Sequence, residues 1–207
     1  MIELFVSAFV TFFVIIDPPG CAPIYAGLTK GAGAVQRRSM AVRAVVVAGI
    51  ILLIFALFGE DLLRVLGISL DSFRIAGGIM LFLIALEMVF EKRTQRREER
   101  VAKINETPEI EDVSIFPMAM PMIAGPGSIA SVMLMMSRTE GLTESLIVVG
   151  AMAVILLLTL IALLAAGPLM RLVGQSVEAV VTRLLGVLLA ALASQFVIDG
   201  IRASFAG

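Results

Sequence analysis

The chain has 207 residues and a net charge of −1. It is 59% hydrophobic and 16% charged, against about 45–50% and about 25% in soluble proteins. A domain of this size cannot hide that much apolar surface from water, so the composition predicts an integral membrane protein. There is no histidine and a single cysteine, Cys21, which excludes the usual zinc, haem and iron–sulfur ligand sets, disulfide frameworks and histidine-based triads. No metal, no cofactor and no enzymatic activity are expected, and nucleic acid is an improbable partner.

Crossing about 30 Å of hydrocarbon takes roughly 20 apolar residues, and six segments qualify. The first, residues 4–28, is not a cleavable signal: Met1-Ile2-Glu3 puts an acid where basic residues belong, and Asp17-Pro18-Pro19 interrupts the apolar run without a cleavage site. At mid-depth it carries Asp17-Pro18-Pro19-Gly20-Cys21-Ala22-Pro23. The second span is 40–58. The third, 73–90, contains Gly77-Gly78, which allow close helix approach, and Glu87 near its inner end, an interfacial position beside Glu91 and Lys92. Residues 91–112 are dominated by Lys, Arg and Glu and read as a solvated linker. The fourth span, 113–136, carries Pro117-Met118-Ala119-Met120-Pro121 followed by Gly125-Pro126-Gly127-Ser128. Its many methionines read as adaptable apolar filler. The fifth span is 145–166. The sixth, 177–198, has Gly186, Ala190, Ala191 and Ala193 for close packing, and Gln195, which either lines a cavity or bonds a neighbouring helix.

The Lys and Arg distribution sets the orientation. With the N-terminus outside, Lys30, Arg37, Arg38, Arg43, Lys92, Arg93, Arg96, Arg97, Arg100, Lys103, Arg171 and Arg183 fall inside, and only Arg64, Arg74, Arg138 and Arg202 fall outside. Both termini are therefore expected outside the cytoplasm and the linker within it.

The chain also repeats itself. A shift of 107 positions sets Pro19-Gly20 on Pro126-Gly127, and Arg64, Gly67, Ser69 and Asp71 on Arg171, Gly174, Ser176 and Glu178; after a two-residue slip, Arg74 and Gly77 fall on Arg183 and Gly186. The expected organisation is a first three-helix repeat over 1–90, the linker over 91–112 and a second repeat over 113–207. Three is odd, so the second copy enters the membrane from the opposite side. Inverted repeats of this kind are shared by many secondary transporters, although some channels have them too. The fold class predicted is all-α: a polytopic membrane protein of six transmembrane helices, with helices one and four broken.

Each interior proline removes a donor and crowds the carbonyl four residues back, at a cost of about 3 kcal/mol or more. The carbonyls affected are those of Val14 and Ile15 in span one, and of Pro117 and Met122 in span four. If each helix restarts after its break, Asp17 serves as N-cap with Pro18 at the first helical position, and Gly125 and Pro126 take those parts in span four. Positive helix ends then point toward the protein centre, with released carbonyls nearby. That combination suits a zwitterion. Asp17, an intramembrane acid whose repeat equivalent is Ala124, has three open roles: helix cap, ammonium partner, or carrier of a coupling proton or cation.

The segments FFVIIDPPGCAPIYAGL and FPMAMPMIAGPGSIASVM resemble the two signature segments of the MarC family of bacterial inner-membrane proteins, and the similarity extends over the whole chain. The family commonly has Asn where this chain has Cys21. The resemblance implies a place in the LysE-type transporter superfamily and transport of small neutral amino acids such as glycine or alanine, linked to a proton or Na+ gradient. It also implies a bacterial inner-membrane location. By motif, the substrate-lining positions are Asp17, Pro18, Gly20 and Pro23 with Gly125, Pro126, Gly127 and Ser128. The alternative is an exporter of drugs or other small metabolites. Such proteins usually need a larger, aromatic-lined cavity, and this chain has no Trp and one Tyr, Tyr25.

Overall fold

The structure is a computed structural model that describes residues 1–90 and 112–206, including side chains except those of 167–179, 181 and 206. The expected linker thus lies outside the described residues but for Asp112, as do the side chains of Arg171, Gly174, Ser176 and Glu178.

Among the described residues eight helical elements follow one another: α1 (Ile2–Ile16), α2 (Pro18–Leu28), α3 (Ala34–Val65), α4 (Leu70–Val89), α5 (Ser114–Ile123), α6 (Pro126–Met136), α7 (Leu142–Leu164) and α8 (Ala166–Ala206). Five stretches of these residues are long and apolar enough to cross a membrane: Ile2–Leu28, Ala34–Val65, Leu70–Val89, Leu142–Leu164 and Thr182–Phe205; α5 and α6 form a sixth as a pair bent by 51°. The polytopic all-α fold read from composition is therefore the one found.

Local chemistry explains the boundaries. α1 runs through an uninterrupted apolar sequence and stops where Asp17-Pro18-Pro19 deprives it of donors. α4 opens on Ser69, whose hydroxyl accepts from the Ser72 N–H at 3.1 Å, with Asp71 in the first turn facing the positive helix end. α3 is longer than the expected 40–58. Its 32 residues span about 48 Å at 1.5 Å each, so both ends emerge from hydrocarbon. There it carries Arg37, Arg38 and Arg43 at one end, and Glu60 and Asp61 paired with Arg64 at the other. α5 is irregular because the residues before its prolines, Phe116 (φ −123°, ψ 126°) and Met120 (φ −130°, ψ 125°), are extended, as the following ring demands.

α4 and α8 form the most extensive helix pair. Gly78 lies under Ala193 and Val197, Gly186 under Ala85, Met88 and Val89, and Gly200 under Asp71, Arg74 and Ile75. Residue numbers rise on one helix as they fall on the other, so the two run antiparallel. They are the third and the sixth crossings of the chain, which any six-span topology sends in opposite directions. Gly77 instead faces Leu134 of α6. Three further contacts occur in matching pairs, α1 on α7 and α5 on α3, α2 on α7 and α6 on α3, α2 on α8 and α6 on α4, whereas α1–α8 and α6–α7 have no comparable counterpart among the described residues.

The interior is filled by alanines, by Phe12, Ile15, Ile16, Leu52 and Leu81, and by Met88, Met118, Met133, Met135 and Met152. These five methionines are packing residues, as expected, whereas Met120 of the fourth span is exposed. Val46, Ile50 and Leu57 on α3, Leu157 and Ile161 on α7, and Leu184 and Leu188 on α8 point outward, an arrangement stable only in lipid.

Candidate functional site

At the first interruption the chain turns on one residue. Asp17 adopts φ 57°, ψ 65°, closing α1 through its N–H to the Phe13 carbonyl (2.9 Å) and opening α2 as N-cap. Asp is among the few non-glycine residues that tolerate this left-handed region. Its Oδ1 accepts from the Gly20 N–H at 3.1 Å and its carbonyl from the Cys21 N–H at 3.0 Å. A Cβ at Gly20 would sit 2.1 Å from Asp17 Oδ2, so only glycine admits the carboxylate there. The Cys21 thiol donates to the Ile16 carbonyl at 3.4 Å; sulfur thereby satisfies one carbonyl at the break. Asp17 is 2% exposed; Pro18, Gly20 and Cys21 are buried and Pro23 is half-buried.

The second interruption is sharper. Ala124 closes α5 by donating its N–H to the Ala119 carbonyl at 2.8 Å, and α6 restarts with Gly125 as N-cap and Pro126 at its first position. A Cβ at Gly125 would meet the Pro121 carbonyl oxygen at 2.3 Å, so the chain doubles back on itself too tightly for a side chain. Ser131 Oγ donates to the Gly127 carbonyl at 2.7 Å. Gly125, Gly127 and Ser128 are buried; Pro126 is exposed and so turns away from the interior that the other seven positions share.

The two interruptions come together. A Cβ built on Gly127 would lie 3.5 Å from Ile15 of α1 and against Leu81 and Ile84 of α4. The small residue opening α6 therefore sits beside the last turn before the Asp17 break. The side chains of Ile15, Leu81 and Ile84 carry no signal in the sequence, because aliphatic residues are the rule in a membrane span.

The breaks are nevertheless unequal. At the start of α2, Pro18 and Pro19 have no N–H, and that of Gly20 is taken by Asp17. At the start of α6 only Pro126 lacks a donor, and Gly125 has no side chain with which to cap the N–H groups of Gly127 and Ser128. The expected pair of open helix ends is thus one occupied end and one open end, because only the first copy carries an acid at the cap.

Two further sequence readings resolve here. Gln195 neither lines the breaks nor bonds another helix: its Nε2 donates to Asp199 Oδ1 on the same helix at 2.6 Å, and Asp199 pairs with Arg138 at 2.5 Å. Glu87 is half-buried near the end of α4.

A family profile described as MarC family integral membrane protein matches residues 2–205. The chain is 37% identical over 204 residues to a UPF0056 membrane protein of Methanocaldococcus jannaschii, covering 97% of each chain. It is 33% identical to UPF0056 membrane protein YhcE of Escherichia coli (96% of this chain, 92% of that one) and 30% identical to YvbG of Bacillus subtilis (99% and 97%). No solved structure matches.

Proposed function

The chain belongs to the MarC family of integral membrane proteins, and from that premise we propose that it is a secondary transporter of small neutral amino acids, glycine- or alanine-like, working by alternating access. The observation that carries this reading is the meeting of the two interruptions, Gly127 beside Ile15, in the interior between antiparallel copies. Interrupted helices at a repeat interface are where transporters bind substrate.

The inequality of the breaks gives the substrate a direction. Asp17 supplies from within the chain, at the start of α2, the carboxylate that a bound amino acid brings to the Gly127 and Ser128 N–H groups at the start of α6. The ammonium group is met by the Asp17 carboxylate and by the Val14 carbonyl, which Pro18 deprives of its usual N–H partner. The small residues at the breaks suit a small substrate, and Ile15, Leu81 and Ile84 beside Gly127 suit a short apolar side chain. Antiparallel copies related by exchange of α1–α4 with α5–α8 supply two equivalent arrangements, open to opposite sides. A proton or Na+ gradient drives the cycle. The excess of Lys and Arg on one side supports an orientation with both termini outside the cytoplasm, and the relatives from Escherichia coli and Bacillus subtilis support a bacterial inner-membrane location.

Uptake of labelled glycine and alanine by proteoliposomes containing the full chain tests the proposal. Uptake above empty liposomes is expected, slowed about tenfold or more by Gly127→Leu, whose side chain must displace Ile84 and shift the meeting of the two breaks. Rates equal to empty liposomes across a broad amino-acid panel overturn it.

A further inference from the structure

A second feature of the molecule lies away from the helix breaks and is independent of the transport reading. We propose that the cavity between the ends of α2, α3 and α7 is a phosphate-binding site, filled from the bilayer by the headgroup of an anionic phospholipid. The cavity holds about 270 Å³ and is lined by Tyr25 and Thr29 at the end of α2, Arg37 and Arg38 at the start of α3, and Leu163 and Leu164 at the end of α7. This volume lies near the lower end of the about 300–1,000 Å³ common among small-molecule sites, and it suits a compact headgroup.

Four observations converge on this ligand. First, the spans Ile2–Leu28 and Leu142–Leu164 end here and Ala34–Val65 begins here, so the cavity lies where hydrocarbon gives way to the headgroup layer. Second, Arg37 and Arg38 both line it, and among the described residues neither is paired with a carboxylate. Guanidinium groups bind phosphate oxygens in bidentate fashion. Third, α3 starts on Gly33, which has no side chain to cap the first-turn N–H groups, so the positive end of a 32-residue helix adds to the same field. The Tyr25 hydroxyl donates to the Arg37 carbonyl and ties that end of α3 to α2. Fourth, the far wall is aliphatic and opens outward: Leu164 is 47% exposed, which offers an acyl chain a path along α7. A free phosphate ion gains nothing from that wall; a lipid does. By the Lys and Arg bias the site faces the cytoplasmic leaflet, where anionic lipids attract basic clusters.

The test uses the full chain purified in a non-ionic detergent, with thermal unfolding and native mass spectrometry read against added phosphatidylglycerol, phosphatidylcholine or inorganic phosphate. Phosphatidylglycerol should raise the Tm and bind about tenfold or more tightly than phosphatidylcholine. This preference should disappear in Arg37→Gln/Arg38→Gln, weaken in Arg38→Gln, and persist in Arg64→Gln at the opposite end of α3. The wild-type comparison of the two lipids needs no variant and stands even if the double variant does not fold. An equal response to both lipids with none to phosphate, or an undiminished preference in a folded double variant, overturns the proposal. A Tm rise with millimolar phosphate alone, lost in the variants and matched by no lipid preference, keeps the phosphate chemistry and overturns the lipid as its source.

Discussion

Asp17 is at once the end of one helix and the beginning of the next, and its two duties can be separated by substitution. Asn caps helices as well as Asp and tolerates the same left-handed backbone. Asp17→Asn therefore keeps the acceptor for the Gly20 N–H and removes only the charge. Its unfolding temperature should stay close to wild type while amino-acid uptake falls, because the ammonium group loses its counter-charge. Asp17→Ala should lose both, with a stability cost of about 1–2 kcal/mol from the missing cap. Normal uptake by Asp17→Asn would show that the residue is a cap alone. Gly20→Ala approaches the same bond from the other side. Its Cβ, 2.1 Å from Asp17 Oδ2, must displace the carboxylate, and thermal unfolding should report a loss comparable to that of Asp17→Ala.

At the scale of elements, the contrast between the two interruptions follows from how many residues depart from helical geometry. In the first, only Asp17 departs, and Ile2–Leu28 remains a single crossing. In the second, Phe116, Met120, Ala124 and Gly125 all depart, and the chain bends by 51°. The entry to α5 is anchored by Asp112, which accepts from the Ser114 N–H at 3.0 Å and pairs with Arg43 of α3. Ser114 beside it and the Arg43 guanidinium hold the Asp112 carboxyl below its usual value, against the opposing effect of burial. A lowered value in the folded state means that this anchor stabilises the protein fully above the ordinary carboxylate pKa of about 4 and is lost as pH falls through the lowered value. Both side chains are about half exposed, so the contribution is below about 1 kcal/mol. Unfolding temperatures measured from pH 6 downward should decline less for Asp112→Asn than for the wild type, and the gap between the two should narrow in high salt.

For the whole molecule, the antiparallel α4–α8 contact is the most extensive joint between helices. A Cβ at Gly78 would lie 2.7 Å from Val197 Cγ2 and 2.9 Å from the Ala193 carbonyl oxygen, and backbone yields less readily than a side chain. Gly78→Leu should force the pair apart and cost about 1–3 kcal/mol, a drop of about 2–12 °C in Tm for a chain of this length. Gly150, in α7, has nothing within 4 Å of a built Cβ. Gly150→Ala should leave the Tm unchanged or raise it slightly, since alanine is the better helix former. Equal Tm losses from the two substitutions would mean that the α4–α8 joint is not a close one.

Much of this architecture is legible in one dimension because lipid is an unforgiving solvent. Spans must be apolar and helical, so hydropathy alone locates the crossings, and the Pro-Gly clusters at residues 17–23 and 117–128 mark where two of them break. Asp17 before two prolines, and Gly125 before Pro126, are read correctly as helix starts because capping is a local matter of φ, donors and acceptors. Packing decided what local rules do not contain. It set Gly127 against Ile15, turned Pro126 outward, sent Gly77 to α6 and Gly78 to α8, and kept Gln195 on its own helix. Each of these depends on which face of a helix meets which neighbour, and in a span that is apolar all round the sequence has no periodic pattern to say so.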